Sequence, residues 1–245
     1  AVMVLPNGLR LIVQTERISP TVSIRGQVKN NPFLETPKGR EGVDSILDNL
    51  FSYGTKEMDR VAFQKALDDI AAGLSAGTDF SLDVLSDHLD RGVQLLSQNI
   101  LEPRLPAEAF RTVQEETAGE LAGRLQSPSY LASRAIRKAL YPADDPSLRQ
   151  ATPETVRKLS LDDVEEYYRK VFRPDMTTIV MIGAVTPEKA RSVVEKYFGG
   201  WKATGPKPET DLSPVPPNSA ATAEVPDESR VQDEVTFAQT LGITR

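Results

Sequence analysis

The sequence predicts an α+β fold, a mostly antiparallel sheet of about five or six strands, a common sheet size. Two observations carry this. Residues 9–13, 21–29 and 80–84 alternate apolar and polar side chains, the mark of strands with one wet face. The segments between them carry single apolar stripes at helical spacing, such as Val43, Ile46, Leu47 and Leu50.

The elements follow in chain order. Leu5-Pro6-Asn7-Gly8 is a turn signal before the run 9–13 and favours a tight hairpin. A strand over 21–29 follows, with Val22, Ile24 and Gly26 alternating with polar residues; it is read as an edge strand, an interior strand paired on both sides being the alternative. Residues 30–39 hold two prolines and read as a loop. Helices are expected over 41–53 and over 58–72, the second with Phe63, Leu67 and Ile70 on one face. After the strand at 80–84, helices are expected over 90–101 and 106–124. Ser127-Pro128, Thr152-Pro153 and Thr186-Pro187 each place a hydroxyl N-cap before a proline, whose missing N–H would be orphaned there anyway. Ser160 with Asp163 marks a further helix start, and 177–185 reads as a strand. The organisation expected is one domain over 1–200 and a proline-rich linker over 201–228. Residues 229–245 would be the first strand of a following domain, an edge strand of the main sheet being the alternative.

Composition excludes several chemistries. With no cysteine among 245 residues there are no disulfides, thiolate metal sites or cysteine nucleophiles. The one histidine, His88, beside Asp87 and Asp90, reads as a surface residue; catalytic zinc sites usually draw on two or three histidines. A net charge of -6 without a dense basic cluster argues against sequence-independent nucleic-acid binding. No apolar run approaches the roughly 20 residues needed to span a bilayer. The first residues lack the charged and apolar regions of a signal peptide. Without an initiator methionine, the sequence reads as an internal piece of a longer protein. A periplasmic or cell-envelope location is favoured over the cytoplasm.

The stretch 42–55, Gly-Val-Asp-Ser-Ile-Leu-Asp-Asn-Leu-Phe-Ser-Tyr-Gly-Thr, resembles the signature of the M16 (insulinase and mitochondrial-processing-peptidase-like) zinc peptidases. That family carries His-x-x-Glu-His on a helix, followed by an apolar run ending in Gly-Thr. Aligning Gly54-Thr55 on that pair puts Ser45 and Asn49 at the histidine positions and Asp48 at the general-base glutamate. Val113-Gln114-Glu115-Glu116 resembles the later helix, with Glu116 at the third-ligand position. The opening Leu-x-Asn-Gly, the segment 73–85 matching the central strand, and the closing strand–Gly–helix ending in Tyr197-Phe198-Gly199 extend the resemblance over roughly residues 4–200.

The resemblance implies the LuxS/MPP-like fold, with helices on one face of the sheet. It also implies a half that has lost its chemistry. Side chains at i and i+4 of a helix share a face, so two histidines there can grip one zinc while the residue at i+3 activates its water. A serine hydroxyl and an asparagine amide are poor zinc ligands. No catalytic residue, cofactor or metal is therefore expected in this chain, and zinc belongs to a partner half on the same or another polypeptide. The implied role is to complete the chamber around an unfolded peptide. The alternatives are an assembly or scaffold protein of the same fold, or a hard divalent-metal site built from the oxygens of Ser45, Asp48, Asn49 and Glu116.

Overall fold

The computed structural model describes residues 1–227, 231 and 234–243. The chain forms two compact units. The first comprises Ala1–Asn30, Asp44–Val113 and Ser160–Pro208; the second comprises Asn31–Val43, Gln114–Leu159 and Glu209–Arg245.

The first unit is built on a six-stranded sheet of order β1-β2-β6-β3-β5-β4. Its strands are β1 (Val2–Val4), β2 (Arg10–Thr15), β3 (Thr21–Val28), β4 (Gly73–Ser75), β5 (Asp79–Leu85) and β6 (Thr177–Gly183). All neighbouring pairs are antiparallel except β2 and β6. The β1–β2 hairpin closes through Leu5 N–H to Leu9 O and Gly8 N–H to Leu5 O. Gly8 sits at φ 91°, and a Cβ there would lie 2.8 Å from Asp175 Cβ, so the turn admits little else. Asn7 Nδ2 donates to Phe198 O at 2.8 Å and ties this corner to the end of a distant helix.

Alternation settles which face is dry. Leu11, Val13, Val22, Ile24, Phe80, Leu82, Ile179 and Met181 are all buried. Helices α4 (Leu89–Leu101) and α9 (Pro187–Phe198) lie on that side. Gly92 of α4 lets the helix approach the sheet: a Cβ there would stand 3.1 Å from Leu82 Cδ2. Helices α2 (Val43–Leu50), α3 (Arg60–Asp68) and α8 (Leu161–Val171) complete the core through Ile46, Leu47, Phe63, Leu67, Val164 and Tyr167.

Three local expectations differ from what forms. The segment 21–29 is not an edge strand: β3 pairs with β6 on one side and β5 on the other. The cause is non-local, since β6 enters between β2 and β3 from 150 residues further along the chain. The edges are β1 and β4. The segment 73–85 folds as a hairpin of two strands rather than one central strand. Residues 30–39 contain a one-turn helix, α1 (Pro32–Glu35), because Asn31 caps it by accepting from Phe33 N–H and Pro32 occupies the first position.

In the second unit α1 is joined by the C-terminal part of α5 (Ala107–Arg124), by α6 (Pro128–Leu140) and by α7 (Pro153–Arg157). Arg149 ties it together. Its guanidinium donates to Glu41 Oε1 at 2.8 and 3.0 Å, to Thr36 O at 2.8 Å and to Phe33 O at 3.1 Å. All three hydroxyl–proline pairs start helices, but only the Thr152 and Thr186 hydroxyls cap theirs, Ser127 making no capping bond. Helices α7 and α8 open with reciprocal capping boxes, Thr152 with Thr155 and Ser160 with Asp163. Beyond Gly199 the described residues form no helix or strand. Of the strand expected over 229–245, positions 229, 230, 232, 233, 244 and 245 lie outside the described residues, and 234–243 form no strand, although Thr240 exchanges hydrogen bonds with Asn218.

Candidate functional site

Helix α2 carries three of the four candidate residues. Its apolar stripe, Val43, Ile46, Leu47 and Leu50, is fully buried and fixes its rotation. Ser45 and Asn49, at i and i+4, are both exposed. Asn49 Nδ2 donates to Ser45 O at 3.0 Å, so the amide folds back onto its own helix one turn earlier.

Asp48 is turned to the β4–β5 hairpin. Its carboxylate accepts from Thr78 N–H at 2.9 Å and from the Thr78 hydroxyl at 3.2 Å. The neighbouring Gly77 is close-packed on this carboxylate, since a Cβ would lie 3.0 Å from Asp48 Oδ1. Burial pushes the Asp48 carboxyl above the usual aspartate range, against the two Thr78 bonds, and the charges of Asp44 and Asp79 add to the rise. Burial likewise raises Asp44.

Glu116, on α5 in the other unit, is exposed beside Glu115, which pairs with Arg157 at 3.3 Å. His88 is exposed, and its neighbour Asp90 bonds Lys196 at 3.0 Å and Tyr197 at 2.6 Å. Among the described residues, no three His, Cys, Asp or Glu side chains gather so as to hold a metal ion.

The set does not fit zinc. A hydroxyl and an amide stand where two imidazoles are needed. Both carboxylate oxygens of Asp48 are already spent on Thr78, where they act as a brace rather than a base. The same engagement tells against a hard-cation site. Two residues that carry this region escaped the sequence pattern. Asn99, buried on α4, donates to Phe51 O at 3.1 Å and Gly54 O at 2.9 Å, holding the Gly-Thr corner. The Tyr168 hydroxyl donates to Ile100 O and Leu101 O at 2.9 Å each, and burial holds its phenol well above the usual tyrosine range. Asn99 was detectable as an amide at helical spacing from Leu95 and Leu96, on the apolar face.

The brace has a measurable consequence. A carboxylate whose folded pKa is raised above 3.8 contributes stability that is complete below that value and is lost as pH rises through the folded pKa. At neutral pH the Asp48 charge therefore weighs against the fold. Asp48→Asn should keep both Thr78 bonds without that charge. Its melting temperature should be a few degrees above wild type at pH 7 and equal to it at pH 3. Asp48→Ala loses the brace and should be destabilised by about 1–3 kcal/mol at pH 7. An Asn variant no more stable than the Ala variant would contradict this.

Comparisons with known proteins agree with the geometry. The family profile described as "Peptidase M16 inactive domain" matches residues 158–242. The chain is 25 % identical over 153 residues to the non-peptidase homolog YmxG of Helicobacter pylori, covering 60 % of this chain and 35 % of that protein. It is 24 % identical over 212 residues to human cytochrome b-c1 complex subunit 1, covering 81 % of this chain and 42 % of that one. The chain thus spans less than half the length of these curated relatives. In fold it resembles the peptidase M16 inactive domain from Pseudomonas fluorescens, with a TM-score of 0.78 at 16 % identity, over 90 % of this chain and 54 % of that one. The ferredoxin protease FusC, solved with Arabidopsis ferredoxin, gives a TM-score of 0.67 at 16 % identity, over 84 % of this chain and 24 % of that one. The profile match over residues 158–242, the similarity to a non-peptidase homolog and the shared fold make this chain similar to the non-catalytic domains of the M16 peptidase family.

Proposed function

We propose that the chain belongs to a non-catalytic half that completes a peptidase chamber beside a zinc-bearing M16 partner and helps enclose an unfolded peptide. What carries the proposal is the sheet face opposite α4 and α9. Cross-strand register lines up Val2, Ile12, Val180, Arg25 and Ser81 in one row, and Gln14, Ile182, Ser23 and Asp83 in the next. Val2, Val4 and Ile182 are exposed at 64, 65 and 43 %. Beside this apolar patch Arg25 grips Asp83 through two bonds of 3.1 and 3.0 Å. A face that joins apolar area to polar groups, flanked by open strand edges, suits extended chains of varied sequence. The edges available are β1 and β4, not β3.

Zinc and the catalytic base then come from the partner. In this reading residues 229–245 lead into a following domain after the linker, and the setting is the periplasm or cell envelope. A scaffold role without proteolysis is the second reading, supported by the similarity to a cytochrome b-c1 complex subunit.

Co-expression with an M16 protein bearing intact His-x-x-Glu-His discriminates. A stoichiometric complex should form, and peptide cleavage should rise at least tenfold over the zinc partner alone. Added peptide should also slow amide exchange in β1, β4 or β5. A complex with unchanged cleavage and no protection in those strands leaves the scaffold reading in place.

A further inference from the structure

We propose that α6, with the last turn of α5, is a docking surface for an acidic segment of a partner protein. Residues 121–143 carry Arg124, Arg134, Arg137 and Lys138 and not one Asp or Glu, in a chain whose net charge is -6. Helical spacing puts Tyr130, Leu131, Arg134, Arg137 and Lys138 on one face of α6, at successive steps of three and four. None of the thirteen residues of this helix is buried.

The cations are arranged as well as concentrated. The Arg124 and Arg134 guanidinium carbons lie 5.0 and 5.9 Å from the centre of the Tyr130 ring. The Tyr130 hydroxyl donates to Gln150 Oε1 at 3.2 Å, which fixes the ring. A guanidinium resting on an aromatic face keeps its N–H edge available for a carboxylate, with less freedom to lose on binding. That edge is unclaimed: no carboxylate among the described residues pairs with any of the four cations. Three exposed helical arginines elsewhere are neutralised, Arg157 by Glu115, Arg169 by Glu165 and Arg191 by Glu195. Arg60, Arg91 and Arg111 also lack a carboxylate among the described residues, but each stands apart from any second cation on a shared ring.

An acidic protein segment fits better than an anionic membrane. Interfacial helices bury a broad apolar face in lipid, whereas Leu131, at 37 %, is the one large aliphatic exposed on α6. Carboxylates presented along an extended or helical segment would satisfy the Arg124–Arg134 pair and reach Arg137 and Lys138 one turn beyond Arg134. The proposal does not depend on the peptide-enclosing role of the sheet.

The test uses the full chain and a fluorescein-labelled peptide of alternating Glu and Ala, read by anisotropy. Binding should saturate, weaken as salt rises, and be absent for the matching Lys-Ala peptide. Arg124→Gln/Arg134→Gln should raise Kd on the order of tenfold or more, and Arg191→Gln should leave it unchanged. Should the first double variant melt early, Arg137→Gln/Lys138→Gln, at two exposed positions, takes its place with the same expected loss. No binding of the acidic peptide, equal loss with Arg191→Gln, or binding to phosphatidylserine vesicles in preference to the peptide would each overturn the proposal.

Discussion

Phe51→Ala should destabilise the chain by about 3–5 kcal/mol, the usual cost of emptying a buried phenylalanine site. Phe51 is 1 % exposed and sits in the short turn that follows α2. Its ring meets Phe172 at 5.0 Å and Tyr168 at 6.3 Å, the latter edge-on, and Tyr168 stacks on Phe172 at 5.0 Å. The surroundings resist collapse into the void. Asn99 pins the Phe51 and Gly54 carbonyls from α4, and Tyr168 is held by two carbonyls at the end of that helix. A site that cannot relax shows the upper part of the cavity range. The melting temperature should fall by about 10 °C or more. Phe51→Leu, which keeps most of the volume, should cost less than half as much. A Phe51→Ala loss under about 1 kcal/mol would mean that α2 is not anchored through this cluster.

Much of this was legible in the sequence where the physics is local. The helix starts at Pro153, Leu161 and Pro187 follow from hydroxyl caps, and the stripe of α2 from its period. What was not legible depends on partners far along the chain. Alternation in β3 reports one buried face and is the same for an edge or an interior strand. Only the arrival of β6 decides, and no residue between 21 and 29 encodes it. The candidate site divides in the same way. The order of turn, helix and Gly-Thr singled out Ser45, Asp48 and Asn49 by their resemblance to a zinc motif. The present task of Asp48 was hidden, because Thr78 lies 30 residues on and a bond to a backbone N–H leaves no mark in residue types. What the structure shows at this position is an acid that a hairpin turn uses.

The same dependence on distant partners gives the other large effect, at Arg173. Its side chain is only 4 % exposed. The guanidinium grips Asp175 through Nε at 2.6 Å and Nη2 at 3.0 Å. It also donates to Pro206 O at 2.6 Å, and Gly205 O and Thr204 O stand 3.4 and 3.5 Å away. One buried cation therefore anchors the start of the proline-rich segment to the sheet unit. Lys207 adds a bond to Asp175 O at 3.1 Å, too exposed to replace it. Arg173→Ala strands a partly buried carboxylate and frees the segment, and should cost about 3–5 kcal/mol. Lysine cannot reproduce the fork, so Arg173→Lys should recover only part of that. The bond from Arg173 holds the Asp175 carboxyl below the usual aspartate range. A depressed folded pKa contributes stability that is present above the unfolded value of 3.8 and lost as pH falls through the folded one. The gap between wild type and Arg173→Ala should therefore be widest at neutral pH and narrow below pH 3.8, once Asp175 takes up its proton. Limited proteolysis supplies the local readout: Arg173→Ala should be cut within 202–208 well before wild type, under conditions where the sheet unit stays folded. A gap independent of pH would assign the loss to packing around the arginine stem rather than to the ion pair.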